Sequence, residues 1–351
     1  MRFQHPTRTP LALALAAALA ACTAPTAPTA PASPNTLTAV RATAAPTLDG
    51  NANDAVWAAA PALTVKLEDG ANFGGKGETA VTLKAAYAGD MLYMLVQYAD
   101  PTMSLRRAPF QKQADGSWKK LADPNDKGGD NNVYYEDKWA MIWNIGNSIK
   151  DFNTKGCGVS CHVGQGKPYG NKYTAKEGEL GDIWHMKGMR TAPMGFVDDQ
   201  YTDHTRYDKD KSPNAGRKSD PGGPEYENIK VVNGKPEFMN KDGLAANAGG
   251  SYVVVKGNEV PFDDARFKAG DEVASHFALP AKGDRADINV AARWVNGVWT
   301  FEVSRKLVTG SKLDVQFDDL AKSYFFGVAA FDNAQVRHAI HYDALQLRFV
   351  R

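Results

Sequence analysis

Asn296-Gly297 stands between two tryptophan-bearing runs, ADINVAARWV and VWTFEVSRKL, and this dipeptide is a strong two-residue β-hairpin signal. The same grammar recurs along the chain. VTLKAAYAGDMLYMLVQYAD gives two apolar runs that turn at Ala88-Gly89-Asp90, and Lys138–Ile145 is a further aromatic and β-branched run. SYFFGVAAFDN and DALQLRFV read as closing strands, the second setting Leu345, Leu347 and Phe349 against Gln346 and Arg348. Many short strands and few helical stretches predict a mainly β chain, a β-sandwich of immunoglobulin-like or jelly-roll type. From about Gly146 to Gly250 the character changes to Gly, Lys, Asp, Asn and Pro, with KDKSPNAGRKSDPGGPEYEN the most loop-like piece. A long irregular insertion, about residues 146–250, is expected there, and such insertions inside a domain are usually functional.

The N-terminus speaks to address. Arg2 and Arg8 precede LALALAAALAA, a run too short to span a bilayer and laid out like a secretory signal. It ends in Leu19-Ala20-Ala21-Cys22, which resembles the lipobox of bacterial lipoproteins; the resemblance implies cleavage before Cys22 and lipid on its sulfur. Residues 1–21 are then the signal, and the Thr-Ala-Pro repeat of residues 22–46 an extended tether. Thr23 is not the aspartate associated with inner-membrane retention, so an exported lipoprotein of the outer membrane, facing the periplasm, is expected. No later stretch is long and apolar enough for a membrane helix, so membrane contact is expected through lipid alone. A net charge of +1 without a basic stripe argues against nucleic acid as a partner.

Of three cysteines, Cys157 and Cys161 remain after Cys22, in the stretch GCGVSCHV. Two thiols with His162 adjacent resemble a covalent haem attachment, although the familiar spacing is Cys-x-x-Cys-His and three residues intervene here. A loop one residue longer can bulge while both sulfurs reach the porphyrin vinyls, and Gly156 and Gly158 would ease that bulge. A Cys157–Cys161 disulfide leaves His162 without a purpose, and a zinc site lacks further Cys or His at finger spacing. The residues alone leave haem, disulfide and metal open.

LDGNANDAVWAAAPAL, the strand pair ending YAD, EDKWAMIWNI, WVNGVWTFEVSRKL and FFGVAAFDN, in that order from about Thr47, resemble the haem-binding domain of the ethylbenzene dehydrogenase family. The LDGxxxDxxW opening is also similar to family 9 carbohydrate-binding modules. The resemblance implies one haem-binding sandwich over residues 47–351. In the gamma subunits of that family a methionine and a lysine hold haem b without covalent bonds. This chain has GCGVSCH where the methionine would lie and Val336-Arg337-His338-Ala339 near the lysine, which resembles a c-type branch with CxxxCH. Haem c on Cys157 and Cys161, with His162 as proximal iron ligand, is therefore expected, and haem b is the alternative. For the distal ligand His338 is favoured, at the family's lysine position, with His341 and His185 as alternatives. Trp184, Lys187 and Arg190 fall in the segment expected to cover the haem. These expectations describe a periplasmic, lipid-anchored electron carrier rather than an enzyme, exchanging electrons with other cytochromes or a molybdoenzyme. A haem-free carbohydrate-binding lipoprotein is the rival.

Overall fold

The computed structural model describes residues 34–160 and 172–351. Thirteen strands join in one sheet: β1 (Thr36–Arg41), β2 (Leu63–Leu67), β3 (Thr79–Ala88), β4 (Met91–Ala99), β5 (Lys138–Asn144), β6 (Gly181–Lys187), β7 (Asp198–Thr202), β8 (Arg217–Ser219), β9 (Asn289–Val295), β10 (Val298–Lys306), β11 (Ser323–Phe331), β12 (Ala339–Ile340) and β13 (Leu345–Phe349). Their order is β8-β7-β6-β5-β11-β13-β1-β3-β4-β10-β9, with β2 beside β3 and β12 beside β11.

Strand β1 pairs in parallel with both β13 and β3, and the sheet turns over on it so that its two halves face one another. Across the gap Trp139 of β5 lies 6.0 Å from Phe301 of β10, and the Arg305 guanidinium stands 5.3 Å over Trp184 of β6. Tyr98 of β4 donates from its hydroxyl to the Lys138 carbonyl at 3.3 Å. This is the expected β-sandwich, and the space between the halves holds the main core, including Leu83, Val96, Trp143, Phe326 and Leu347.

The turn signals act as read. Asn296 and Gly297 take φ of 50° and 80°, and β9 and β10 pair from Val295↔Val298 outward, as a primed hairpin turn requires. The LDGNANDAVW opening forms a clamp on the outer face of one half-sheet. Helix α1 (Ala55–Ala59) buries Trp57, whose Nε1 donates to Glu302 Oε1 at 2.7 Å, while Glu302 Oε2 accepts the amides of Asp49 and Gly50. The last strand is interrupted: β12 ends at Ile340 and β13 starts at Leu345, so the inward phase of Leu345 does not extend back to His341.

The stretch 146–250 is less irregular than its composition predicts. It contributes β6, β7 and β8 to the edge of the main sheet. Their sequences, GDIWHMK and DDQYT, hide the strand signal because both faces are enclosed and one is polar. Every residue of β6 is buried, including Asp182, His185 and Lys187. Residues 226–278, with residues 110–120, build a satellite unit of two- and three-residue strands. Its own core includes Phe110, Ile229, Met239, Val254, Phe267 and Val273. No helix among the described residues is long and apolar enough to cross a membrane.

Candidate functional site

Strand alternation sorts the side chains of β5, β6, β7 and β11 onto two faces. The inner face takes Trp139, Met141 and Trp143 of β5 with Trp184 and Met186 of β6 into the core. The outer face is a grid fixed by register. One row runs Gly327, Ile142, Ile183, Gln200; the next Ala329, Ala140, His185, Asp198; the third Phe331, Lys138, Lys187. Over this grid lies a cavity of about 390 Å³, lined also by Arg107, Tyr135, Arg190, Arg217, Tyr226 and His338. That volume is in the range of small-molecule and cofactor sites.

The cavity wall is cationic, and part of the charge is compensated. Lys187 Nζ pairs with Glu225 at 2.9 Å and with Asp198; Arg285 holds the same two carboxylates, and Arg190 Nε donates to Glu136 at 2.6 Å. Burial would raise the Glu225 carboxyl, but Lys187, Arg190 and Arg285 outweigh it and hold it at about 2. Lys138 differs. Among the described residues it has no carboxylate within ion-pair distance; Nζ donates to the Gln335 carbonyl at 2.8 Å and lies 3.9 Å from the Phe331 ring centre. Burial, followed by Arg190, pushes it well below its ordinary range. Arg217 is likewise pushed down by burial. Lys138 is buried and Arg217 half-buried, and an unpaired buried cation is costly, so a nearby anion would stabilise both.

Of the expected site residues, His185, His338, Lys187 and Arg190 all line this one cavity. Phe331 bridges the two histidines, its ring 5.8 Å from His185 and 4.9 Å from His338. His185 has Nδ1 3.4 Å from Gln200 Oε1, and its Nε2 is buried with no hydrogen-bond partner among the described residues. Burial, then Lys187 and Lys138, push this imidazole well below its ordinary range, which keeps it neutral. His338 sets Nδ1 2.8 Å from the Val336 carbonyl. Two expected residues lie elsewhere. Trp184 points to the opposite face, with Nε1 3.1 Å from Asp182 and its ring 5.2 Å from Trp143, because neighbours on a strand cannot share a face. His341 is not in the cavity wall; its Nδ1 lies 3.1 Å from the Lys66 carbonyl.

Cys157 is buried over the first row of the grid. It packs with Ile142 and Ile183, and Ile183 also lines the cavity. Gly327 makes the room: a Cβ there would come within 2.7 Å of Cys157 Cβ and 2.8 Å of its sulfur. Gly156 is required twice over, by φ of 70° and by the Tyr342 carbonyl 2.3 Å from where a Cβ would stand, whereas nothing crowds Gly158. Cys161 and His162 lie outside the described residues, as does Cys22; Lys172, the first described residue after them, lines the cavity.

The residues fit a haem in three respects: an imidazole nitrogen buried without a partner among the described residues, small and apolar wall positions at Ala140 and Ile183, and cations without an ion-pair partner among the described residues, suited to propionates. Sequence reading missed Lys138, Arg217, Arg107, Tyr135, Tyr226 and Phe331. The alternation of EDKWAMIWNI carries the signal for Lys138; Arg107 and Tyr226 arrive from remote loops with no local pattern.

Fold and site together define a β-sandwich with a ligand-sized, cation-lined pocket on one outer sheet face. The chain belongs to the ethylbenzene dehydrogenase family, whose model matches residues 54–343. Among curated proteins none matches the chain. Two solved structures of a family 9 carbohydrate-binding module from Caldicellulosiruptor kristjanssonii are similar. The glucose complex has 9% identity and a TM-score of 0.35, the cellotriose complex 9% and 0.33, each covering 90% of this chain and 95% of that one. These likenesses are too loose to define a ligand.

Proposed function

We propose that this chain is a one-haem electron-transfer protein, exported and held to the outer membrane by lipid on Cys22. Cys157 and Cys161 would carry haem c by thioether bonds, with His162 as proximal ligand. The observation that carries the reading is the buried, unpartnered Nε2 of His185 in the wall of a cationic cavity that adjoins Cys157. It moves the distal assignment from His338, favoured in sequence, to His185. Haem iron supplies one-electron exchange when bound. The protein's share would be to orient and exclude: Gln200 sets the His185 ring, Phe331 and Ala140 would keep water out, and Lys138 and Arg217 would receive the propionates. Two imidazoles give a lower potential than a histidine–methionine pair, and a filled sixth position leaves no place for substrate. The role is therefore carriage between redox proteins, other cytochromes or a molybdoenzyme, rather than catalysis.

The test is a pyridine haemochrome spectrum after acid–acetone extraction of protein matured with c-type haem assembly. Colour that stays with the polypeptide supports haem c; extractable colour moves the reading to haem b. A colourless protein overturns both and leaves the carbohydrate-binding reading, which the uncompensated cations of the cavity disfavour for a neutral sugar. His185→Ala is expected to turn the low-spin spectrum high-spin and open the reduced iron to carbon monoxide, while His338→Ala stays low-spin. The reverse result returns the distal role to His338.

A further inference from the structure

On the inner face of the strands that carry the pocket lies a second, unrelated constellation. Asp182 of β6 and Asp199 of β7 project to the side opposite Ile183, His185 and Gln200, as alternation requires. Asp199, Asp287 and Asp314 each bring a carboxylate oxygen within 4.8 Å of the others. Asp220 joins them just after β8, its amide donating to the Asp199 carbonyl at 3.2 Å. Among the described residues one cation answers these five carboxylates, the fully buried Arg305, which lies 2.9 Å from Asp314 and 3.7 Å from Asp182.

The oxygens themselves point to a ligand. Six are buried with no hydrogen-bond partner among the described residues: Asp182 Oδ1, Asp199 Oδ2, both oxygens of Asp220, Asp287 Oδ1 and Asp314 Oδ1. Asp220 is only 3% exposed, and among the described residues its carboxylate meets no N–H or hydroxyl donor, only the neighbouring Asp314 carboxyl. An orphaned buried polar group is costly, and more so when charged. A second buried aspartate trio, Asp100, Asp137 and Asp332, makes the contrast. There Asp137 accepts the amides of Ser104 and Asn333 and the Trp299 indole, and Asp332 accepts the amide of Phe73. Among the described residues that trio keeps one orphaned oxygen, Asp100 Oδ2, against six in the cluster around Asp199.

We infer that Asp182, Asp199, Asp220, Asp287 and Asp314 form a binding site for one divalent cation of the calcium class. An all-oxygen, carboxylate-rich cage without histidine or thiol selects a hard ion, and calcium takes six to eight such oxygens, whereas magnesium keeps its waters. The ion ties together β6, β7, the segment after β8 and the loops before β9 and after β10. It thus fastens from beneath the strands that hold the pocket floor. The inference stands whether or not the pocket holds haem.

The experiment is calcium titration calorimetry on the full chain stripped with EGTA, with thermal unfolding in EGTA and in calcium chloride. One equivalent should bind, and unfolding should rise by roughly 5 °C at a hundredfold excess over the dissociation constant. Asp199→Asn and Asp220→Asn should each weaken binding by about tenfold or more. They should melt below the wild type in calcium but no lower than it in EGTA, where they relieve repulsion. Unchanged wild-type unfolding with no heat of binding overturns the inference and leaves a proton-sharing cluster. Binding that persists in both variants but is lost in Asp100→Asn overturns the placement.

Discussion

Lys138 and Lys187 stand side by side on the outer face of β5 and β6, both buried, and physically they are opposites. Lys187 is closed into an ion-pair set with Asp198 and Glu225, while Lys138 has a carbonyl and an aromatic ring but, among the described residues, no carboxylate in range. Removing one partner of a buried pair strands the other charge at a cost of about 3–5 kcal/mol, whereas replacing an unpaired buried charge by an apolar side chain is near neutral or stabilising. Lys187→Met should therefore lower stability by several kcal/mol in denaturant unfolding at pH 7, and Lys138→Met should cost less than about 1 kcal/mol. Equal losses would make Lys138 a structural residue and remove it from the ligand's reception. At this scale the structure sets four of the residues singled out in the sequence, His185, Lys187, Arg190 and His338, in one cavity wall. It erred on Trp184 for an elementary reason: once GDIWHMK is a strand, Trp184 and His185 cannot face the same way.

Strand ends, rather than strand middles, gather the charged groups. Asp100 follows β4, Asp137 precedes β5 and Asp332 follows β11, and their carboxylates meet within 4.8 Å. Burial, followed by the charge of Asp332, pushes Asp100 up to about 7. An unfolded aspartate titrates near 3.9, so between about 4 and 7 the folded chain holds a proton that the unfolded chain has lost. That contribution makes stability fall as pH rises through this window. Asp100→Asn removes it, so the variant should gain on the wild type from pH 5 to pH 8 in urea unfolding at fixed calcium. Parallel curves for the two proteins would show that Asp100 does not titrate in this range. Elements differed in legibility along the same line. The hairpin at Asn296-Gly297 and the alternation of β13 could be read because one face is apolar and the turn residues are distinctive. Strands β6 and β7 could not, because their polar faces are partnered by residues as distant as Glu225, Arg285 and Arg305.

At the scale of the whole molecule, the β content was legible and the strand order was not. Nothing local tells β1 to lie in parallel between β13 and β3, or the sheet to fold over upon it; those pairings join the two ends of the domain. Nor does composition announce that the satellite has a core of its own, separate from the core between the half-sheets. That division has consequences for dynamics. Satellite strands are two or three residues long in sheets of two or three strands, whereas β3, β4, β10 and β11 run nine or ten residues within the large sheet. Short ladders over a small core open with less free energy than the global transition. Native-state hydrogen exchange should therefore show amides of residues 226–278 exchanging through a partial opening, while those of β3, β4 and β10 exchange only with global unfolding. Phe267→Ala should deepen the difference by speeding the satellite alone, since its side chain packs with Trp118 and Phe262 at 5.7 and 5.5 Å. Because Glu225 and Tyr226 enter the pocket from the satellite, that opening would also release the clamp on Lys187 and Arg190. Uniform protection across both cores would instead make the satellite and the sandwich one cooperative unit, with the pocket as rigid as the sheet beneath it.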